Sequence, residues 1–280
     1  METLPSLNVP SLLRSYGIRP DKSLGQNFLV KNLWLERIVE IAEISSDKTV
    51  LEVGPGLGSL TRLLAERAHA VVAVELDGRL IPPLEEVLAS YQNVYIVKGD
   101  ILALNPDQLI DSDDYLVVAN IPYYITSALI RHLLEARQRP IRMILTVQRE
   151  VADRICAEPG RMNLLALSVQ VYGLPQMKAK IPASAFYPPP KVDSAIVRGD
   201  IYPTPAIPIP DLETFFRLAK AGFSQKRKTL RNALSGGMAW SKSESEHYLR
   251  EAGIDPNRRA ETLNLDEWNL LVQQVKDTNS

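Results

Sequence analysis

Gly54, Glu75, Asp100 and Asn120 each stand where a run of Val, Ile and Leu stops, about one strand–helix unit apart along the chain. In an open parallel sheet, ligands bind outside the carboxyl ends of the strands, so polar groups at four successive strand ends line one crevice. The turn Gly54-Pro55-Gly56-Leu57-Gly58 lets the backbone pass close to a ligand. Its alternate glycines do not match the dinucleotide fingerprint, whose third glycine comes three residues after the second, and no Walker lysine follows. Glu75, about 20 residues on, is placed to accept hydrogen bonds from both hydroxyls of a ribose. Asp100 can accept from an adenine amino group. A tight turn and two solvated strand-end carboxylates would also account for these residues singly, but not for their common register. The pattern fits a nucleoside ligand without phosphates. S-adenosylmethionine answers that description, and its positive sulfonium tolerates an acidic neighbour such as Glu52.

The last of the four opens Asn120-Ile121-Pro122-Tyr123. The exocyclic amine of adenine is a poor nucleophile because its lone pair is delocalised into the ring. Two acceptors on its hydrogens, the Asn120 side-chain oxygen and the Pro122 carbonyl, favour a pyramidal nitrogen with the lone pair aimed at a methyl donor. Proline fixes φ and so steadies its own carbonyl, and Tyr123 can stack on the base. Catalysis then rests on positioning, with no nucleophilic side chain or metal. A strand-end Asn before a helix N-capped by Thr126 is the structural alternative.

Elements that could position these groups follow from periodicity. Strands are expected at 49–53, 70–74, 94–97, 115–119 and 143–147, and helices at 59–67, 79–90, 126–137, 150–156 and 163–172. Such alternation gives parallel βαβ units and a doubly wound, Rossmann-like α/β sheet. Residues 177–181 and 194–197 are expected as an antiparallel pair at its edge. The stretch Ile201–Pro210 carries four prolines and reads as a semi-rigid linker. Helices at 212–221, 226–234, 243–252 and 265–275 then form a small all-helical domain. The expected division is residues 1–200, the linker 201–210, and 211–280.

Composition permits this reading. The 280 residues are 45% hydrophobic with a formal net charge of −1, enough for one large and one small domain. No apolar run reaches the roughly 18 residues of a spanning helix, and the N-terminus lacks a signal-peptide layout, so a cytoplasmic location is expected. One cysteine, Cys156, excludes an internal disulfide and a thiolate zinc cluster. His69, His132 and His247 have no ligand spacing, so no metal is expected.

Leu24-Gly25-Gln26-Asn27-Phe28-Leu29, Glu52-Val53-Gly54-Pro55-Gly56, Val74-Glu75-Leu76-Asp77, Asn120-Ile121-Pro122-Tyr123, the stretch Pro188 to Ser194, and the stretch Gln225 to Asn232 occur in one order along the chain. In this the sequence resembles the ribosomal RNA adenine dimethyltransferases, on their bacterial small-subunit branch. The resemblance implies S-adenosylmethionine as cofactor. It also implies, as product, dimethyladenosine at two adjacent adenines in a hairpin loop near the 3′ end of 16S rRNA in the immature small subunit. It places Asn27 and Leu29 beside the cofactor and Phe186 opposite Tyr123 at the target adenine, although from the residues alone Gln26-Asn27 reads as a turn. The segment Arg19 to Ser23 is less basic than is usual in the family.

From Arg217 to Arg231 the chain carries six basic residues and no acidic one. Such a run is either a solvated face or a phosphate contact, and beside an adenine-modifying site Lys226, Arg227, Lys228 and Arg231 are the RNA-binding candidates. A monomer is expected. The alternatives are a large-subunit rRNA adenine methyltransferase of the macrolide-resistance type and a non-catalytic assembly or transcription factor on the same fold. A DNA adenine methyltransferase would carry a larger recognition region.

Overall fold

The computed structural model describes residues 4–122 and 125–277. Helix α1 (Val9–Ser15), the two-residue strand β1 (Phe28–Leu29) and helix α2 (Asn32–Ala42) come first. The alternating part follows as β2 (Thr49–Val53), α3 (Ser59–Ala65), β3 (Ala70–Glu75), α4 (Ile81–Leu88), β4 (Val94–Lys98), α5 (Pro106–Leu109), β5 (Tyr115–Asn120), α6 (Thr126–Glu135) and β6 (Arg142–Gln148). After α7 (Arg149–Ile155) and α8 (Leu164–Gln170) come β7 (Gly173–Ile181), β8 (Phe186–Tyr187) and β9 (Ser194–Ile201). Four helices end the chain: α9 (Leu212–Phe223), α10 (Leu230–Met238), α11 (Lys242–Glu251) and α12 (Leu265–Asp277).

Seven strands form one sheet in the order β4-β3-β2-β5-β6-β9-β7. The pairs β3–β4, β2–β3, β2–β5 and β5–β6 are parallel, and β6–β9 is antiparallel. Strands β2, β3, β5 and β6 are apolar almost throughout and largely buried, with Glu52 inside β2 and Thr146 inside β6, whereas the edge strand β4 is half-exposed. Sequence order reverses beside β2, which lies between β3 and β5, and that reversal is the topological switch point. The register pairs Val53 with both Val74 and Ala119, so the turn after β2 emerges level with Glu75 and Asn120.

Three helices lie outside the elements expected from sequence: α1, α2 and the one-turn α5. The second buries Leu35, Ile38, Val39 and Ala42, a helical stripe that packs with Val50, Val118 and Ile144 in the main core. Its C-terminal carbonyls are held by two arginines from the sheet. Arg142 Nη1 donates to the Ala42 carbonyl at 2.8 Å and Arg198 Nη1 to that of Ile41 at 3.1 Å, a favourable place for cations. Asp200 bridges the two guanidiniums, accepting from Arg142 Nε at 2.6 Å and Arg198 Nε at 2.9 Å.

The chain divides into two compact units, residues 1–152 with 175–201 and residues 153–174 with 202–280. Residues 153–174 thus join the helical unit, differing from the division expected from sequence. The reason is local bonding. The Gly160 and Met162 amides donate to the Glu261 carbonyl at 2.8 and 3.1 Å, and α8 packs on α9. Helical periodicity says which residues form a helix, not which body it joins. The proline-rich stretch is likewise docked in the second unit. Tyr202 and Ala206 donate to the carbonyls of Tyr172 and Val171, both at 2.8 Å, and Ile207 is fully buried. The basic residues 226–228 precede α10 instead of opening it, because Leu230 is the first helical residue.

Within the second unit α10 crosses α9 at Gly237. A Cβ there would lie 2.5 Å from Ala221 Cβ and 2.7 Å from Ala221 Cα. Glycine to alanine in a helix ordinarily stabilises by roughly 0.5–1 kcal/mol. Here the clash with backbone reverses the sign, and Gly237→Ala is expected to destabilise by about 1–3 kcal/mol. A raised or unchanged urea midpoint would show that α9 and α10 are not in this contact.

Candidate active site

The turn between β2 and α3 has three residues at positive φ: Gly54 at 74°, Gly56 at 61° and Gly58 at 82°. Gly56 is constrained twice, since a Cβ on it would stand 3.0 Å from the Phe28 ring. The end of β3 locks this turn. Glu75 Oε2 accepts from the Gly56 amide at 3.0 Å and Oε1 from the Asp77 amide at 2.8 Å. Each oxygen keeps a further lone pair, so the carboxylate can also receive a diol. Burial pushes the Glu75 carboxyl above its usual range, opposed by these amide bonds.

Glu52, next to the turn, is 1% exposed, and burial pushes its carboxyl up to about 8. The Thr61 hydroxyl on α3 pulls the other way without reaching hydrogen-bond geometry, and Glu52 Oε2 has no partner among the described residues. Glu75, from the neighbouring strand, adds a smaller upward push. In the unfolded chain this proton leaves near 4.5, so between about 4.5 and 8 the native state holds more protons and stability falls as pH rises. Glu52→Gln is therefore expected to raise the melting temperature above wild type at pH 8, with the gain fading towards pH 4.5. A gain independent of pH would refute the protonated carboxyl.

Asn120 ends β5 beside that turn. Its Nδ2 donates to the Asn27 carbonyl at 3.1 Å, which brings the N-terminal segment to the same crevice. Leu29, 4% exposed, reaches it through β1, which pairs with β8 in the register Phe28–Tyr187 and Leu29–Phe186. Ile121 is buried and donates to the Thr146 carbonyl at 3.2 Å. The Pro122 carbonyl accepts from the Ile125 amide at 3.1 Å, which fixes its direction and leaves a second lone pair. Tyr123 lies outside the described residues. The N-cap of α6 is Ile125, and Thr126 is its buried first residue, so the capping alternative for Thr126 does not hold.

Asn27, Leu29, Gly54, Glu75, Asp100 and Asn120 thus line one cleft, together with Glu52 and Pro122. Asp100 is exposed, and its Oδ1 accepts from the Leu102 amide at 2.9 Å. Three carboxyls and no Lys, Arg or His are among the described lining residues. Even with Glu52 neutral below about pH 8, a lining with carboxyls and no cation suits a cationic nucleoside and is adverse to phosphates. No group of three potential metal-binding side chains occurs among the described residues.

Phe186 is not among the residues lining the cleft. It is 4% exposed and belongs to the core with Leu35, Ile38 and Ile196. The register with Leu29 turns it inward, and its neighbour Tyr187 is the exposed member of β8. In the second unit Lys226, Arg227 and Lys228 are exposed, and none makes an ion pair within the described residues. Arg231 differs, since its Nη1 is bonded to Glu246 Oε2 at 3.0 Å. No described helix is long and apolar enough to cross a membrane.

Residues 18–277 match the family model described as ribosomal RNA adenine dimethylase. The chain is 46% identical over 270 residues to ribosomal RNA small subunit methyltransferase A of Dehalococcoides mccartyi (strain CBDB1), covering 95% of this chain and 93% of that protein. It is 42% identical over 272 residues to the protein of the same name from Alkaliphilus metalliredigens (strain QYMF), covering 95% of each. Among solved structures it is similar to a dimethyladenosine transferase from Plasmodium falciparum, with a TM-score of 0.78 and 25% identity over 90% of this chain and 98% of that one. It is also similar to the 23S rRNA methyltransferase ErmE, with a TM-score of 0.73 and 30% identity over 89% of this chain and all of that one. With the strand-end residues in place and the match running nearly end to end, the chain belongs to the ribosomal RNA adenine dimethylase family.

Proposed function

We propose that this chain transfers methyl groups from S-adenosylmethionine to the exocyclic amines of two adjacent adenines in the 3′-terminal hairpin loop of 16S rRNA, giving N6-dimethyladenosines during small-subunit maturation. The observation that carries this reading is the cleft itself. An acidic crevice with no cation among its described lining residues, and with Glu75 placed to accept a diol, opens beside an asparagine amide whose nitrogen is already committed to the Asn27 carbonyl. The names of the relatives support the small subunit as substrate, whereas the fold alone is shared with a large-subunit enzyme.

The cofactor, when bound, supplies an activated methyl whose C–S bond breaks with its electron pair returning to sulfur. The residues present fit it. Glu75 would hold the ribose, Asp100 the adenine amino group, and Asn27 and Leu29 would close the other side. Asn120 Oδ1 and the Pro122 carbonyl accept the two hydrogens of the target amine, Tyr123 stacks on its ring, and the nitrogen, once methylated, releases a proton to water. These fixed dipoles act on charge that grows in the transition state. The target base must leave its stack, which a hairpin loop permits at low cost.

Lys226, Arg227 and Lys228 contact the RNA backbone in this reading, with Arg231 held back by Glu246. Changing all three to Glu is expected to lower the slope of log affinity against log salt by about 1 per lost phosphate contact while cofactor affinity stays unchanged. An unchanged slope would remove this segment from the RNA interface. The substrate assignment is tested by offering labelled S-adenosylmethionine with undermethylated small subunits and, separately, with large-subunit RNA. Label is expected in the small subunit only. Label in the large-subunit RNA would transfer the chain to the resistance-type activity, and no label with intact cofactor binding would favour a binding factor.

A further inference from the structure

Asn120 can serve the target amine only if its oxygen faces outward, and the structure shows one bond that decides this. The Asn27 carbonyl has no hydrogen to give, so the amide nitrogen must face it and Oδ1 must face the other way. The carbonyl belongs to a segment with little regular structure of its own, in which only Phe28 and Leu29 are in a strand. On its other side the segment is held by Gln26. Gln26 Nε2 donates to Asp77 Oδ2 at 2.7 Å, and Oε1 accepts from the Asp21 amide at 2.7 Å. Asp77 is itself fixed. It is 6% exposed, its amide is bonded to Glu75, and its carboxylate receives Arg79 Nε and Nη2 at 2.9 and 2.7 Å. Bonding to Arg79 holds that carboxyl below the usual range, so it is ionised at neutral pH and its bond from Gln26 is charge-assisted.

We propose that Gln26 and Asp77 are positioning residues for methyl transfer: their bond holds the Asn27 carbonyl against Asn120 and thereby aims the Asn120 oxygen at the target amine. The inference rests on the reading of Asn120 given above. It joins two events that need not have been joined. The path Glu75, Asp77, Gln26, Asn27, Asn120 runs from the ribose acceptor to the amine acceptor, so seating of the N-terminal segment over the cofactor and readiness of the catalytic amide become one step. A displacement of about 1 Å at a reacting group can cost about 10²-fold in rate, so a loosened latch acts on kcat even when the cofactor remains bound.

The test uses the full-length protein with small subunits at saturating S-adenosylmethionine. Gln26→Glu sets two carboxylates against each other and is expected to lower kcat by at least about 10-fold, with cofactor Kd, measured with S-adenosylhomocysteine, changing far less. Combining Gln26→Glu with Asp77→Asn reverses the polarity of the bond, because the new carboxylate can accept from the new amide and still accept from the Asp21 amide. The Arg79 Nη2 bond to Oδ2 is lost, while Oδ1 keeps the Arg79 amide and Nε. The double variant is expected to recover kcat to within about threefold of wild type, a coupling that a merely structural role would not produce. Gln26→Ala, with circular dichroism and melting temperature recorded, separates loss of the latch from loss of fold. Wild-type kcat in Gln26→Glu at saturating cofactor, or a double variant no faster than Gln26→Glu, overturns the proposal. Asn120→Ala, run alongside, distinguishes the two readings. If it keeps wild-type kcat, the role of Asn120 itself fails; if it is inactive while Gln26→Glu is not, only the latch fails.

Discussion

Asn120→Ala is expected to lower kcat by about 10²–10³-fold, the usual cost of removing one fixed dipole aimed at developing charge. The substitution removes an acceptor that matters most when the adenine nitrogen becomes pyramidal and positive. Cofactor affinity is expected to fall far less than kcat, because Glu75 and the glycine turn are untouched although the bond to the Asn27 carbonyl is lost. Asn120→Asp refines the result. It restores an acceptor oxygen but loses the donor to the Asn27 carbonyl, setting a carboxylate against a carbonyl oxygen. It should therefore stay impaired. Single-turnover rates at saturating cofactor and RNA measure both variants, and a wild-type rate for Asn120→Asp would show that amide orientation carries no weight.

The second large effect belongs to Glu75. Its two oxygens each accept a backbone amide, from Gly56 and Asp77, and so tie the glycine turn to the loop after β3. Glu75→Ala removes the proposed ribose acceptor and frees two amides in a buried place, 6% exposed. Hydrogen bonds to a charged group contribute roughly 1.5–3 kcal/mol each. Losing two to the ligand corresponds to about 10²–10⁴-fold in Kd. Calorimetric titration with S-adenosylhomocysteine reads this directly. Glu75→Gln, which keeps the size and one acceptor, is expected between wild type and Glu75→Ala. Equal affinity in all three would mean that the ribose lies elsewhere.

Strands β2, β3, β5 and β6 of the alternating core were legible in the sequence because they are largely buried. A short apolar run that stops at a Gly, Glu or Asn is what a central parallel strand with a polar group at its carboxyl end must look like. The cleft followed, since parallel strands put their carboxyl ends on one side. The contribution of the N-terminal segment was not legible from local pattern. Gln26 and Asn27 look like turn residues, and their importance comes from bonds to Asp77 and Asn120, which are 51 and 93 positions away. Phe186 shows the converse, a residue whose burial local pattern does not reveal. An aromatic residue before three prolines looks available to a base, but its pairing register with Leu29 turns it into the core. Arg231 belongs to a basic run by sequence and to an ion pair with Glu246 by structure, because charge composition does not show which cations are already neutralised. The helix at 164–170 was recognisable as a helix, while its membership of the second unit depends on bonds made by its flanking loops.

The most direct measurement is the identity of the methylated nucleoside and its position. Small subunits lacking the modification, incubated with this protein and S-adenosylmethionine, would be digested, and the nucleosides separated and weighed by mass spectrometry. N6-dimethyladenosine is expected at both adjacent adenines of the 3′-terminal hairpin, and none with Asn120→Ala. Methylation of another base, of a ribose hydroxyl or of an adenine ring nitrogen would contradict it, because the acceptors of Asn120 and Pro122 can prepare only an exocyclic amine.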